Sequence, residues 1–337
     1  AGLIALGGTA SYSSAAQATA YNTTVNPAVT TLANGDTVTT TNQLGISDIS
    51  AVSPGVQIGS GGKITVNSTF NSSDATPAAG QRGAVVLKNN VLNNLGTASE
   101  VTASYTSGTY PVANNALYGI YLGPTADLKA DGLKVNVSST ASAGDIYGIV
   151  GQSAMDLGTG SSISVNGTSG YAGGIGVAKS LKADHLTMDV HGATSVAMTV
   201  SNNATVDLGS GSKINSSATS IINGINMSSG SSLVADNLTL TLKPEAGSTS
   251  AQGGPAIMIN GSNASANLKN NSTIRTEASG SSGVYIFATN STFSADNNLN
   301  VTTTGINSQG LIAQGTGSVV NTGTNATITT YGDTTYS

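Results

Sequence analysis

The chain has 337 residues and a formal net charge of -5, with 8% charged and 4% aromatic residues, whereas an ordinary soluble domain is roughly one quarter charged. Its 11 Lys and Arg are spread singly, and it has neither Cys nor Trp, which excludes a phosphate-neutralising stripe, a disulfide framework, Cys-bound zinc and a thiol nucleophile. No run of ~18 apolar residues is present, so no segment is long and apolar enough to cross a membrane as a helix. What remains, a chain of Gly, Ser, Thr and Asn with regularly placed apolar residues, suits a narrow core repeated many times better than a thick two-layer core.

In chain order, residues 1 to 50 fit no period and read as the N-terminal cap of a repeat array, covering an otherwise open first coil. Ala16-Gln17-Ala18 resembles a signal-peptidase site, but no basic leader precedes it. Residues 1 to 20 are therefore read as the start of the mature fold. Residues 51 to 337 are read as one repeat domain that stops within the repeat, as a fragment of a longer chain would. Two departures come early: Phe70 to Gly83, which contains Arg82, and Ser104 to Asn115, which contains Tyr105 and Tyr110.

From residue 128 two units alternate. The first is Leu128-Lys-Ala-Asp131-Gly-Leu133, repeated at Leu181 to Leu186, at Leu233 to Leu238, and with one extra residue at Phe293 to Leu299. The second is Asp156-Leu-Gly-Thr-Gly-Ser-Ser-Ile163, repeated at Asp207 to Ile214 and in looser form at Asn267 to Ile274. Anchored on Leu128, Leu157, Leu181, Leu208, Leu233, Leu268 and Phe293, the steps are 29, 24, 27, 25, 35 and 25. A period of ~26 residues lies in the range of solenoids. Leu186-Thr-Met-Asp-Val190 and Leu238-Thr-Leu-Thr-Leu242 alternate with period two, as half-buried strands do. A third apolar cluster recurs at Gly119 to Leu122, Gly148 to Val150, Ile257 to Ile259 and Val284 to Phe287. Three short strands per repeat describe one coil of a parallel β-helix, all-β, and about eleven to twelve coils give a rod of roughly 50–60 Å. A third departure, Lys243 to Pro255, falls within the longest step.

The alternation of Ala-Asp-Asn-Leu-Thr with Asp-Leu-Gly-Ser-Gly-Ser-x-Ile units resembles the passenger domains of pertactin-like bacterial autotransporters, over roughly residues 55 to 337. The resemblance implies a right-handed three-stranded β-helix displayed at the bacterial cell surface or secreted, and anchored by a C-terminal barrel that this sequence lacks. It also implies a non-catalytic adhesin binding a host matrix protein (fibronectin-like) or a glycosaminoglycan or other glycan. Self-association leading to aggregation and biofilm is an alternative, and a glycan-cleaving β-helix enzyme is a second. No cofactor, metal, nucleic-acid or membrane-spanning partner is expected.

Asp131, Asp184, Asp236 and Asp296 occupy equivalent positions and should form a column on every second coil. That column either accepts turn N–H groups as Asx-turns or offers a row of acceptors to a linear ligand. Tyr105, Tyr110, Arg82 and Lys243, in the departures from the repeat, are the other candidate ligand contacts, because solenoids carry function in insertions and exposed Tyr stacks on sugars. His185, Thr187, Asp189 and His191 should share the outer face of one strand, which reads as a solvated face. No nucleophile motif or carboxylate pair stands out, so no catalytic residue is expected.

Overall fold

The structure is a computed structural model that describes residues 92–106, 117–140, 145–168, 170–248 and 251–331, with strand segments at 19–20, 31–32, 37–40, 57–58, 63–69 and 82–87. Among the described residues there is no helix; all regular structure is strand. The strands pair in parallel, each with its equivalent in the next coil. The result is a β-solenoid with coils of about 27 residues. About eight turns are followed through, and Thr31–Leu32 and Gln57–Ile58 extend one face toward the N-terminus.

Each coil has three faces. The first is an 11-stranded sheet that includes Leu128–Asp131, Ala154–Thr159, Ser180–Asp184, Thr205–Ser210 and Ser232–Asp236. The second begins Lys134–Ser139 and Ser162–Gly167, and the third Leu117–Leu122, Ile146–Gly151 and Tyr171–Val177. Thr187–Val200 and Lys213–Met227 run unbroken from the second face into the third, so these two faces merge into one 20-stranded sheet.

Period-two alternation turns one residue in two inward, and stacking places each inward residue against its equivalent above and below. Val135, Ile163, Met188, Ile214, Leu240, Ile274 and Val301 form one such file, all buried. Ile328 continues it in the last described coil and is 44% exposed. The core is thus a set of parallel files rather than two packed layers.

On the first face the register corrects the anchors read from sequence. Leu128 lies beside Met155, Met155 beside Leu181, Leu181 beside Val206 and Val206 beside Leu233. Leu157 and Leu208 therefore belong two residues further along. The coils differ because the Asp-Leu-Gly-x-Gly-Ser turn is one residue longer than the Ala-Asp turn, and the ladder shifts register there at each crossing.

The two turn types interlock. In the longer turn Asp156 and Asp207 accept the N–H of Gly158 and Gly209, two residues on, which is a local Asx-turn. Gly158 and Gly209 then adopt φ of 56° and 52°, a region that glycine enters without strain. The Asp of the preceding shorter coil packs onto this turn. A Cβ at Gly209 would lie 2.5 Å from Asp184 Oδ1, and one at Gly158 would collide with Asp131 Oδ1.

A buried serine closes each long turn. Ser212 Oγ donates to the Leu208 carbonyl (2.9 Å) and accepts the Leu186 N–H of the coil below (3.1 Å); Ser161 does the same with Leu157 (2.6 Å) and Leu133 (2.9 Å). Both serines are at most 1% exposed, so the hydroxyl satisfies backbone groups that water does not reach. Ser212→Ala should cost about 1–3 kcal/mol, the usual penalty for orphaning a buried polar group. A urea unfolding curve with an unchanged midpoint would show that the clip is dispensable.

Candidate functional site

Three members of the Asp column sit at one corner of successive short-turn coils. Asp131 Oδ1 accepts the Thr159 N–H (2.7 Å), Asp184 Oδ1 the Ser210 N–H (2.7 Å), and Asp236 Oδ1 both the backbone N–H (3.0 Å) and side-chain amide (3.2 Å) of Asn270. Each donor belongs to the next coil, so the carboxylates tie coil to coil. Asp296 is exposed at the following equivalent turn, where its carbonyl accepts the Thr324 N–H. The Ser210 N–H, then the His185 ring (Nδ1 2.9 Å from Asp184 Oδ2), hold the Asp184 carboxyl below the usual range.

The other candidates do not meet there. Tyr105 is in register with Ser139 on the second face, and Arg82 with Leu117 on the third. Tyr110 lies outside the described residues. Lys243 is exposed, one coil beyond Ser217 and two beyond His191. His191, Ser217 and Glu245 close a triangle: Ser217 Oγ lies 2.5 Å from His191 Nδ1 and donates to Glu245 Oε1 (2.6 Å), which is 2.9 Å from the same Nδ1. Serine and carboxylate share one ring nitrogen, so the imidazole does not link them in series as a proton relay does. Ser217 is moreover 1% exposed. The outward face expected for His185, Thr187, Asp189 and His191 is present, with Leu186, Met188 and Val190 inward.

A concave site lies instead on the third face. Tyr118 and Tyr147 are register partners with rings stacked at 5.5 Å and 24°. Tyr171 continues the row, 5.4 Å from Tyr147, and Tyr121 packs against Tyr118 at 5.3 Å. Outward positions of three successive coils carry Tyr147 and Val150, then Gly173 and Gly176, then Val196 and Thr199. The middle coil contributes no side chain at either position, which leaves a notch of about 450 Å³ between its neighbours. Gly173 is required by close approach: the Tyr147 ring lies over it, and a Cβ there would collide with Tyr147 Cδ1.

The notch joins an aromatic wall and a glycine floor to a polar rim that includes Gln152, Thr199 and Ser201. Partial burial raises the phenol pKa values of Tyr118, Tyr147 and Tyr171, so all three stay protonated. At Tyr171 the neighbouring Thr199 side chain works in the opposite direction to burial. Asp145, at the head of strand Ile146–Gly151, has its pKa raised by partial burial, with the Tyr171 backbone N–H working in the opposite direction. Its charge acts on all three tyrosines, so the potential beside the row is negative. A volume within ~300–1,000 Å³, mostly apolar walls and a few convergent polar groups are the ordinary makings of a small-ligand site.

Sequence reasoning passed over this row, although Tyr-Gly-Ile at Tyr118 and Tyr147 was a usable signal. The chain matches no family model, no curated protein and no solved structure.

Replacing Asp131, Asp184 and Asp236 together with Ala should lower the melting temperature, at about 0.5–1 kcal/mol per lost inter-coil bond after solvent screening. A triple variant melting with the parent would free the column for a ligand role.

Stability should also fall in acid. Ser217, followed by His191, holds the Glu245 carboxyl below its usual range, as Ser210 and His185 do for Asp184. Groups whose folded pKa is depressed stabilise fully above their unfolded value of about 4 and lose that contribution as pH falls through the folded value. The melting temperature should therefore drop on acidification below about pH 4, and more shallowly in Asp184→Asn/Glu245→Gln. Equal slopes would assign the acid sensitivity to other carboxylates.

Proposed function

We propose that this chain is a non-catalytic recognition rod of the autotransporter-passenger kind, displayed at a bacterial surface, that binds a linear glycan. The observation that carries this reading is the row Tyr118, Tyr147 and Tyr171 beside the floor of Gly173 and Gly176. A pyranose ring presents a flat C–H face that lies against an aromatic ring, and its hydroxyls pair with amide and hydroxyl groups at the rim. Gln152, Thr199 and Ser201 supply such groups. The parallel stack supports the rest: a rigid rod repeats its surface coil after coil, so a long ligand is held by many small contacts.

The same site favours an uncharged glycan over a glycosaminoglycan. Asp145 lies beside the row and the chain carries a net charge of -5, so a sulfated or uronate-rich chain approaches against repulsion. A glycan array of neutral and sulfated chains tests the reading. Tyr147→Ala should weaken the best neutral ligand about 5–10-fold, in line with ~1 kcal/mol for one aromatic face, with far-UV circular dichroism showing that the variant stays folded. Gly176→Leu should fill the notch and block binding. Capture of a matrix protein by a chain that binds no glycan would replace this reading.

A further inference from the structure

The tyrosine notch runs along the strand Tyr171–Val177, and so across the rod, because a single coil forms its floor. Tyr147, Val150 and Gln152 of the preceding coil make one wall, and Val196, Thr199 and Ser201 of the following coil make the other. The two ends of this groove differ. At one end two rings lie over the floor: a Cβ at Gly173 would collide with Tyr147 Cδ1 and stand 3.1 Å from Tyr171 Cε1. Tyr171 rises from the floor coil beside Thr199 of the far wall, and its ring is 5.4 Å from that of Tyr147, so the pair closes this end. Tyr118 stacks behind Tyr147 at 5.5 Å and buttresses the closure. Exposure then rises along the floor, from buried Gly173 through half-buried Gly176 to exposed Ala178, where Gln152 is exposed as well. A Cβ at Gly176 would make only ordinary contact, 3.5 Å from Val150. The groove is blind at the tyrosines and open at Ala178.

We propose that this notch recognises the end of a glycan chain and not a stretch within it, an inference that rests on the glycan reading of the site. The terminal sugar enters between Gln152 and Ser201, lies over Gly176, and stops against Tyr147 and Tyr171. The chain behind it leaves across Ala178 at the corner of the coil. An internal sugar has a neighbour on each side, and one of the two would have to pass through the closed tyrosine end. That clash is a device of specificity, since it rejects the wrong ligand without any added attraction for the right one. Glycans on proteins and lipids are joined through their reducing ends, so the end free to enter is the non-reducing one. The blind end is already formed by rings packed on one another, so little ordering is left for binding to impose. Because the floor is one coil, the selection of the end is made by three coils alone, and the rest of the rod takes no part in it.

An array of neutral oligosaccharides attached through their reducing ends tests the proposal. Parent and Gly176→Leu chains are probed side by side, with far-UV circular dichroism confirming that both are folded. The array holds sets that share a terminal sugar on different inner sequences, and sets that share an inner sequence under different terminal sugars. Signals lost in Gly176→Leu report the notch. Those signals should sort by terminal sugar, whatever lies behind it. One further sugar added to the terminal residue of the best glycan should weaken binding at least about tenfold, since a pocket discriminates even a single methylene by roughly 10–200-fold. Notch-dependent signals that sort by inner sequence, or that survive the added sugar, overturn the proposal and leave the glycan reading of the notch standing. An array with no signal, or with signals that persist in Gly176→Leu, overturns that reading and the proposal with it.

Discussion

In-register parallel stacking governs this molecule: whatever stands at one position stands again one coil above and below, within ~5 Å. Apolar residues gain from that rule, as the buried file from Val135 to Val301 shows. Amides gain as well, because Asn297 and Asn298 donate side-chain bonds to Asn270 and Asn271 of the preceding coil. Aromatic rings stack, as Tyr118 does on Tyr147. Charges lose, since like charges directly opposite destabilise a sheet. A chain under this rule keeps few charges and separates those of one sign, which accounts for the 8% charged composition.

Two coil types answer the constraint together. The long turn uses one more residue and needs a left-handed glycine with a buried serine beneath it; the short turn supplies the aspartate that packs over that glycine. Asp156 serves its own turn while Asp184 serves the next coil, so the same residue type has two roles set by turn length. The notch on the third face has a similarly local origin. Its shape comes from two outward positions left as glycine in a single coil.

Strand character and coil period were legible because alternation of period two and the recurring Ala-Asp turn are local signals. Register was not. Leu157 and Leu208 look like the partners of Leu128 and Leu181, but the extra turn residue moves Met155 and Val206 into those places. The tyrosine row was hidden for the same reason: the register partner of Tyr147 is Gly173 rather than Tyr171, and only the stacked coils bring the second ring into contact. Asp131, Asp184 and Asp236 were identifiable as a column, yet sequence alone could not say that their partners are backbone groups of the following coil.

The interlock of Asp184 with Gly209, and of Asp131 with Gly158, bears on how such a chain grows or shrinks through duplication. Removing one coil would bring two turns of the same type together, either setting aspartate over aspartate or leaving a glycine turn without its cover. Gain or loss of two coils at once keeps a short turn against a long one at the new junction. The unit that keeps this interlock is therefore the pair of coils, such as the 53 residues that separate Asp131 from Asp184.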